Sequence, residues 1–311
     1  MDYYGRVNDL FISQLSEWDL ARENYRQLEN VKTRRVSFGT FDLTVQFNPG
    51  RIISSAARVD SRSIEARPCF LCSNNRPSQQ RGLLFEKDWT VLVNPFPIFS
   101  RHLTIASVEH TAQRILPCFG KMLSLAGELK DYMFFYNGPQ CGASAPDHLH
   151  FQAGNKGFLP LENDFAGKEN CTLISQNGGL NVWQWHDYLR GMVTIEGQDT
   201  GKMISFFEQF YRQFFLLQPD RPEPMLNILA SFSGASWTVH IIPRKLHRPS
   251  QFFADDPDMI LLSPASVDMG GVVITPREED FNKITAVDIS DIFGQVCFSD
   301  EELTPLIKNI I

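Results

Sequence analysis

No stretch of the 311-residue chain approaches the 18 or so consecutive apolar residues that a membrane-crossing helix needs. The N-terminus, Met1-Asp2-Tyr3-Tyr4-Gly5-Arg6, lacks the apolar run of roughly 7 to 15 residues that marks a secretory leader. Cysteine is sparse and scattered. Cys118, Cys141, Cys171 and Cys297 stand alone and only Cys69 and Cys72 form a close pair, so the chain has no disulfide framework and reads as cytoplasmic. An excess of positive charge is lacking too: 29 Lys and Arg face 36 Asp and Glu, a net charge of −7, which argues against nucleic acid or an anionic membrane as partner. What remains is 43% apolar and 21% charged, enough core for two domains or one double-sized unit acting on a small molecule.

Periodicity suggests an α+β order. Leu10, Phe11, Leu15, Trp18 and Tyr25 fit one or two amphipathic helices over 8–30. Phe41, Leu43, Val45 and Phe47 alternate with polar residues before Asn48-Pro49-Gly50 and Ile52-Ile53, which predicts a hairpin turning at 48–50. A second β pair is expected around Glu86-Lys87-Asp88, then a helix over 118–131 and a strand at Met133–Tyr136. The order recurs later, with a helix over 201–217 and strands at Met225–Phe232 and Trp237–Ile242. Thr275-Pro276-Arg277-Glu278 has the makings of a helix start, with an N-cap, a proline at the first position and a reciprocal glutamate.

The segment Asp147-His148-Leu149-His150-Phe151-Gln152-Ala153 alternates polar and apolar residues, so a strand there sends His148, His150 and Gln152 to one face. Two imidazoles and an amide in line suit a site in which one ring is the nucleophile and its neighbours hold the target. Upstream, the loop Asn137-Gly138-Pro139-Gln140-Cys141-Gly142-Ala143-Ser144 can aim backbone N–H groups and a hydroxyl at a phosphate. A loop carbonyl is the expected partner for the second nitrogen of the nucleophilic ring. The bland alternative is an edge strand with a polar face after an ordinary turn.

Cys69-Phe70-Leu71-Cys72 lets two thiolates grip one Zn²⁺, with a redox pair or plain buried thiols as the alternatives; for a metal the missing ligands must come from His102, His110 or His148. Arg51, Arg34, Arg244 and Lys245 are candidate cations for phosphate. His186 reads as a packed histidine, while His240 and His247 flank Pro243-Arg244-Lys245, where a second metal is conceivable.

Taken in order, the cysteine pair, a histidine after a strand, the glycine- and serine-bearing loop and the H-x-H-x-Q strand resemble the galactose-1-phosphate uridylyltransferase branch of the histidine-triad superfamily. The resemblance implies Cys69, Cys72, His102 and His148 as ligands of a structural zinc. It implies His150 as nucleophile, Gln152 as the group steadying the phosphate, and Asn137, Gly142 and Ser144 as phosphate contacts. A closer likeness is to GDP-hexose phosphorylases, carried by Gln46-Phe47-Asn48-Pro49-Gly50-Arg51, Val93-Asn94-Pro95-Phe96-Pro97-Ile98, Tyr136-Asn137, Gly270-Gly271-Val272-Val273-Ile274 and Cys297-Phe298-Ser299-Asp300-Glu301-Glu302-Leu303. It adds Arg51 and Asn94 to the implied substrate-binding set. The cysteine pair is foreign to that second family and Asp147 is an extra residue relative to the first, so the chain mixes two signatures.

The family implies two histidine-triad-like halves, residues 1–165 and 166–311, each a mostly antiparallel half-barrel sheet with flanking helices. The implied activity is a nucleotidyltransferase or phosphorylase acting on a nucleoside diphosphate sugar, GDP-hexose favoured, through a covalent nucleotidyl-histidine. Phosphate or a sugar phosphate is the second substrate and a homodimer the expected assembly. The alternatives are an Ap4A-type phosphorylase or adenylyltransferase, and a nucleotide-binding protein without turnover. A simple hydrolase fits less well, because Gln152 stands where that branch has a third histidine.

Overall fold

The computed structural model describes residues 2–52 and 60–311. Two helices, Tyr3–Glu17 and Asp19–Gln27, open the chain, the first capped by the Asp2 carboxylate accepting from Gly5 N at 2.8 Å. Strands β1 (Lys32–Ser37) and β2 (Asp42–Phe47) then form an antiparallel hairpin. The hairpin expected to turn at 48–50 is therefore misplaced. Asn48 instead precedes a 3₁₀ turn, Pro49–Arg51, and Ile53 lies outside the described residues. The true partner, Lys-Thr-Arg-Arg-Val-Ser, is an exposed edge strand with one buried residue, so it carries no hydrophobic alternation to announce it.

The next ten strands join in one sheet. They are β3 (Gly82–Phe85), β4 (Trp89–Val93), β5 (His102–Ser107), β6 (Tyr132–Asn137), β7 (His150–Asn155), β8 (Cys171–Asn177), β9 (Leu180–Trp185), β10 (Val193–Gly197), β11 (Leu226–Ser233) and β12 (Ser236–Pro243). Their spatial order is β3-β4-β5-β7-β6-β11-β12-β10-β9-β8. Each half runs three strands, a helix (Phe119–Glu128 or Thr200–Leu217) and two more strands, and the second half is the first laid in reverse. The halves meet where β6 pairs antiparallel with β11, setting Asn137 opposite Asn227 and Phe135 opposite Leu229. The sheet thus runs unbroken across position 165, and a parallel pairing of β2 with β13 (Val272–Thr275) ties the two ends of the chain together.

Both long helices cover one sheet face with the apolar stripes that their spacing predicts; the rings of Phe119 and Phe207 stack at 3.9 Å between centroids. The other face packs against β2, β13 and the helix Ala286–Val296. Thr275 does not cap a helix. It closes β13, its hydroxyl donating to Gln46 O, and the helix begins three residues later as Glu278–Lys283. Burial of β13 on the core wins over local capping chemistry there.

Phe207 is fully buried against its stacked partner, so Phe207→Ala should lower unfolding free energy by about 3–5 kcal/mol in urea titrations with the slope preserved. The same change at Phe253, 71% exposed, should stay within about 0.5 kcal/mol.

Candidate active site and metal centre

β7 begins at His150 rather than before it, so His148 sits in the turn leading into the strand. The alternation holds for His150 and Gln152, which line one cavity of about 550 Å³. His148 turns the other way. Its Nδ1 faces Cys69 Sγ at 3.3 Å and Cys72 Sγ at 3.6 Å, and its Nε2 donates to Ser107 O at 2.8 Å.

The fourth member of this cluster is His110, whose Nδ1 lies 3.2 Å from Cys72 Sγ; the ligand atoms of Cys69, Cys72, His110 and His148 all fall within 4.8 Å of one another. Zn–S of about 2.3 Å and Zn–N of about 2.0–2.1 Å at tetrahedral angles require an S···N separation of about 3.6 Å, close to what is seen. The donor set fits a closed structural site, and the Ser107 carbonyl supplies the outer-shell bond that fixes the His148 tautomer. Burial pushes the Cys69 thiol up, but the His148 hydrogen bond and two backbone N–H groups more than offset this and bring it down to about 6. Asp147, the extra residue of the loop, pairs with Arg67 at 3.0 Å and approaches His110 Nε2 at 3.7 Å.

His102 is not part of that cluster, which corrects the ligand set implied by resemblance. It starts β5 on the opposite end of the strand from Ser107, with Nδ1 accepting from Ile98 N at 3.2 Å. Because a backbone N–H can only donate, the proton of this neutral ring is on Nε2, which donates to Gln152 Oε1 at 2.9 Å. Burial and the nearby Arg51 hold the His102 pKa down at about 3. Asn94 Nδ2 reaches the same Gln152 oxygen at 3.4 Å and Thr104 Oγ1 at 3.0 Å. Asn94, expected to bind substrate, thus lines the cavity while spending its amide on Gln152. The carbonyl end of Gln152 is tied back, and its NH₂ end is left for the cavity.

His150 Nδ1 donates to His148 O at 2.8 Å, two residues back in the chain, not to a carbonyl of the 137–144 loop. That bond leaves Nε2 as the lone-pair nitrogen, and burial keeps the ring neutral by lowering its pKa to about 4. The backbone of His150 is clamped by a fully buried residue that sequence reasoning missed. Gln113 Oε1 accepts from His150 N at 2.8 Å, while its Nε2 donates to His150 O at 3.0 Å and to Asn137 O at 2.9 Å. No periodic pattern marks Gln113, because it lies in a loop.

In the 137–144 loop, Gly142 adopts φ +95°, and a Cβ there would lie 2.5 Å from Ala265 Cβ, so both backbone conformation and close packing require glycine. Asn137 Oδ1 accepts from Asn227 Nδ2 at 2.9 Å and Ser266 N at 2.8 Å, and shares the single Ser266 hydroxyl proton, 2.7 Å away, with Tyr136 O at 2.8 Å. Ser144, Gln152 and Arg51 line both the large cavity and a smaller polar one of about 70 Å³. Arg51 donates to Phe96 O at 2.8 Å.

The other candidate cations line neither cavity. Arg34 donates to Phe281 and Ile284 carbonyls, Lys245 pairs with Glu302 at 3.0 Å, and Arg244 is fully buried against Asn227 and the Val296, Pro264, Leu246 and His247 carbonyls. His186 neighbours Asp187 at 3.7 Å. His240 accepts the Thr194 hydroxyl at 2.7 Å, with Trp185 Nε1 donating to that same hydroxyl at 2.8 Å. Among the described residues neither His240 nor His247 joins a metal-ligating cluster.

The 10–155 segment matches a family profile described only as a domain of unknown function, DUF4922, and residues 165–311 match the GDPGP1-like, C-terminal domain. No curated protein sequence matches the chain. Among solved structures, yeast Ap4A phosphorylase Apa2 in complex with Ap4A superposes at a TM-score of 0.57 and 15% identity, covering 96% of this chain and 98% of that one. The AMP complex of Apa2 gives 0.57 and 15% over 92% and 97%.

Elemental analysis of purified protein should find one zinc per chain, lost in His110→Ala and Cys69→Ser and retained in His102→Ala; the reverse pattern for the two histidine variants would reject the quartet drawn here. Acid stability offers a second test. Burial lowers the His240 pKa to about 3 against an unfolded value near 6.5, so the unfolded chain takes up a proton below about 6.5 that the fold refuses. Stability from this group is complete above that pH and declines as pH falls toward 3. Against the wild type, His240→Gln should flatten the loss of stability between pH 6 and pH 4 by up to about 1.4 kcal/mol per pH unit, read from urea midpoints. An identical pH slope in both proteins would contradict the buried neutral ring.

The chain therefore shares the fold of yeast Ap4A phosphorylase Apa2 over nearly its whole length, and residues 165–311 match the GDPGP1-like, C-terminal domain.

Proposed function

We propose that this chain is a nucleotidyl-transfer enzyme that phosphorolyses a nucleoside diphosphate sugar, GDP-hexose by preference, with His150 as nucleophile. The observation that carries the reading is the His150 ring: Nδ1 is committed to His148 O, and Nε2 faces a roomy cavity with the Gln152 amide beside it. The guanine preference rests on the GDPGP1-like match of residues 165–311.

In the first half-reaction the His150 Nε2 lone pair attacks the α-phosphorus. A P–N bond forms, the bond from phosphorus to the bridging oxygen breaks, and sugar 1-phosphate leaves with that oxygen. The positive charge on the ring is met at Nδ1–H by the His148 carbonyl. In the second half-reaction a phosphate oxygen attacks the same phosphorus, the P–N bond breaks, and nucleoside diphosphate is released with neutral His150 restored. Gln152 NH₂, the Ser144 hydroxyl and Arg51 face the charge that grows on the phosphoryl oxygens. The apolar remainder of the cavity, with Trp18, Phe70, Leu71 and Phe96, suits a base and ribose. Cys69, Cys72, His110 and His148 would hold a structural zinc, which would pin the segment bearing Phe70 and Leu71 against the end of β7.

A second reading, an Ap4A-type phosphorylase, is favoured by the match in fold and length to Apa2 bound to Ap4A. One experiment separates the two. Purified protein is mixed with GDP-hexose, UDP-hexose or Ap4A without phosphate, and intact mass is measured. A guanylyl adduct that His150→Ala abolishes and phosphate discharges is expected; an adenylyl adduct alone selects the second reading, and no adduct with any donor sinks both. Gln152→Ala should form the adduct about 10²- to 10³-fold more slowly, in line with loss of one charge-stabilising donor.

A further inference from the structure

The smaller cavity lies between the two halves and has a chemistry of its own. Asn137 is 6% exposed, and with its oxygen fixed by the Ser266 N–H its NH₂ end is turned to the cavity with no partner among the described residues. Gln152 presents an NH₂ for the same reason. The C-terminal half adds Arg248, held by its Nε donating to Ser263 Oγ at 3.1 Å and by stacking 4.1 Å over Phe252. Among the described residues the one carboxylate in the wall, Asp268, has its oxygens turned to Ala265 N at 2.8 Å and Ile274 N at 2.9 Å. Against that single negative charge stand Arg51 and Arg248 in the wall and Arg244 just behind it, bonded to the Pro264 carbonyl at 2.9 Å. The cavity is compact, donor-rich and cationic, about 70 Å³ beside the 550 Å³ of its apolar neighbour.

Its position is as telling as its lining. His150 borders only the large cavity, whereas Ser144, Gln152 and Arg51 border both. Displacement at phosphorus runs roughly in line, so the leaving oxygen departs on the side opposite the nucleophile. With the transferred phosphoryl group held at Gln152 and Ser144, the side away from His150 is the small cavity. The second half-reaction retraces the line, so the acceptor enters where the leaving group went.

We propose, resting on the nucleotidyl-transfer reading above, that this inter-half cavity is a subsite for a phosphate dianion. Arg248 and Ser263 of the C-terminal half and Asn137 at the seam are its contacts. The same donors serve the phosphate of departing sugar 1-phosphate and that of the incoming acceptor, whether free phosphate or a sugar phosphate.

Calorimetric titration of the full chain, preloaded with GMP to fill the large cavity, tests this directly. Inorganic phosphate and hexose 1-phosphate are titrated in separate arms into wild type, Arg248→Gln, Arg248→Lys and Ser263→Ala. The tighter arm identifies the physiological source. Arg248→Gln should weaken phosphate binding at least tenfold and Arg248→Lys less, while GMP affinity stays within twofold. Thermal midpoints, and GMP affinity itself, report whether each variant is folded. Wild type that binds neither anion, or a folded Arg248→Gln that binds as wild type does, overturns the subsite. The adduct assay reports separately on the underlying reading. An adduct that forms and discharges with unchanged phosphate dependence in Arg248→Gln leaves His150 chemistry standing and removes the subsite. Anion binding without any adduct in wild type removes the transfer reading instead, and with it the acceptor role.

Discussion

Everything in the site hangs on the pairing of β6 with β11, and within it on one atom, Asn137 Oδ1. Three donors from the C-terminal half converge there, two from Ser266 and one from Asn227, and Asn227 is in turn gripped by the buried Arg244 at 2.5 Å. A buried amide left unpaired costs roughly 1–3 kcal/mol, so removing any one of these donors weakens the seam. It fixes the register of the two halves, the path of the 138–144 loop and the direction of the Asn137 NH₂. The Gln113 side chain carries the same order to His150, since it bonds both Asn137 O and the His150 backbone. His150 and the seam are thereby tied together through one buried side chain.

A second economy is the use of one histidine to set another group. His102 is neutral, its tautomer fixed by Ile98 N–H, and it serves Gln152 rather than a metal. His148 serves the thiolates and lends its carbonyl to His150. Three imidazoles, two on neighbouring strands and one in the turn before β7, thus have three tasks, and in each the assignment follows from which ring nitrogen the backbone has already claimed. The second half keeps the architecture but not the chemistry. Leu229 pairs with Phe135 across the seam and stands beside His240 as Phe135 stands beside Gln152; two residues before His240 is Thr238, where the first half has His150.

Much of this was legible in the sequence, and the failures have physical causes. The long helices and most central strands follow from apolar spacing, since burial there is strong enough to write a period. His150 and Gln152 stand out by alternation on a strand buried on both faces. The fourth member of the metal-binding cluster candidate does not: His110 lies in an irregular stretch after β5, where spacing carries no information, and His102 eight positions earlier competes with it on equal terms. The charged edge strand β1 escaped for want of any apolar pattern. The contribution of the C-terminal half could not be read at all. Asn137 and Asn227 are 90 positions apart and meet only through sheet pairing, and Arg248 and Ser263 arrive at the cavity from a region without regular strands.

The fixed amides have a consequence for discrimination. With the oxygens of Asn137, Gln152 and Asp268 all turned toward protein donors, the inter-half cavity has little to offer a group that must itself give a proton. An ammonium placed there meets side-chain oxygens already claimed by protein donors, at a cost comparable to a lost hydrogen bond. The preference of this seam for acceptors over donors is thus built into hydrogen bonds made within the protein itself.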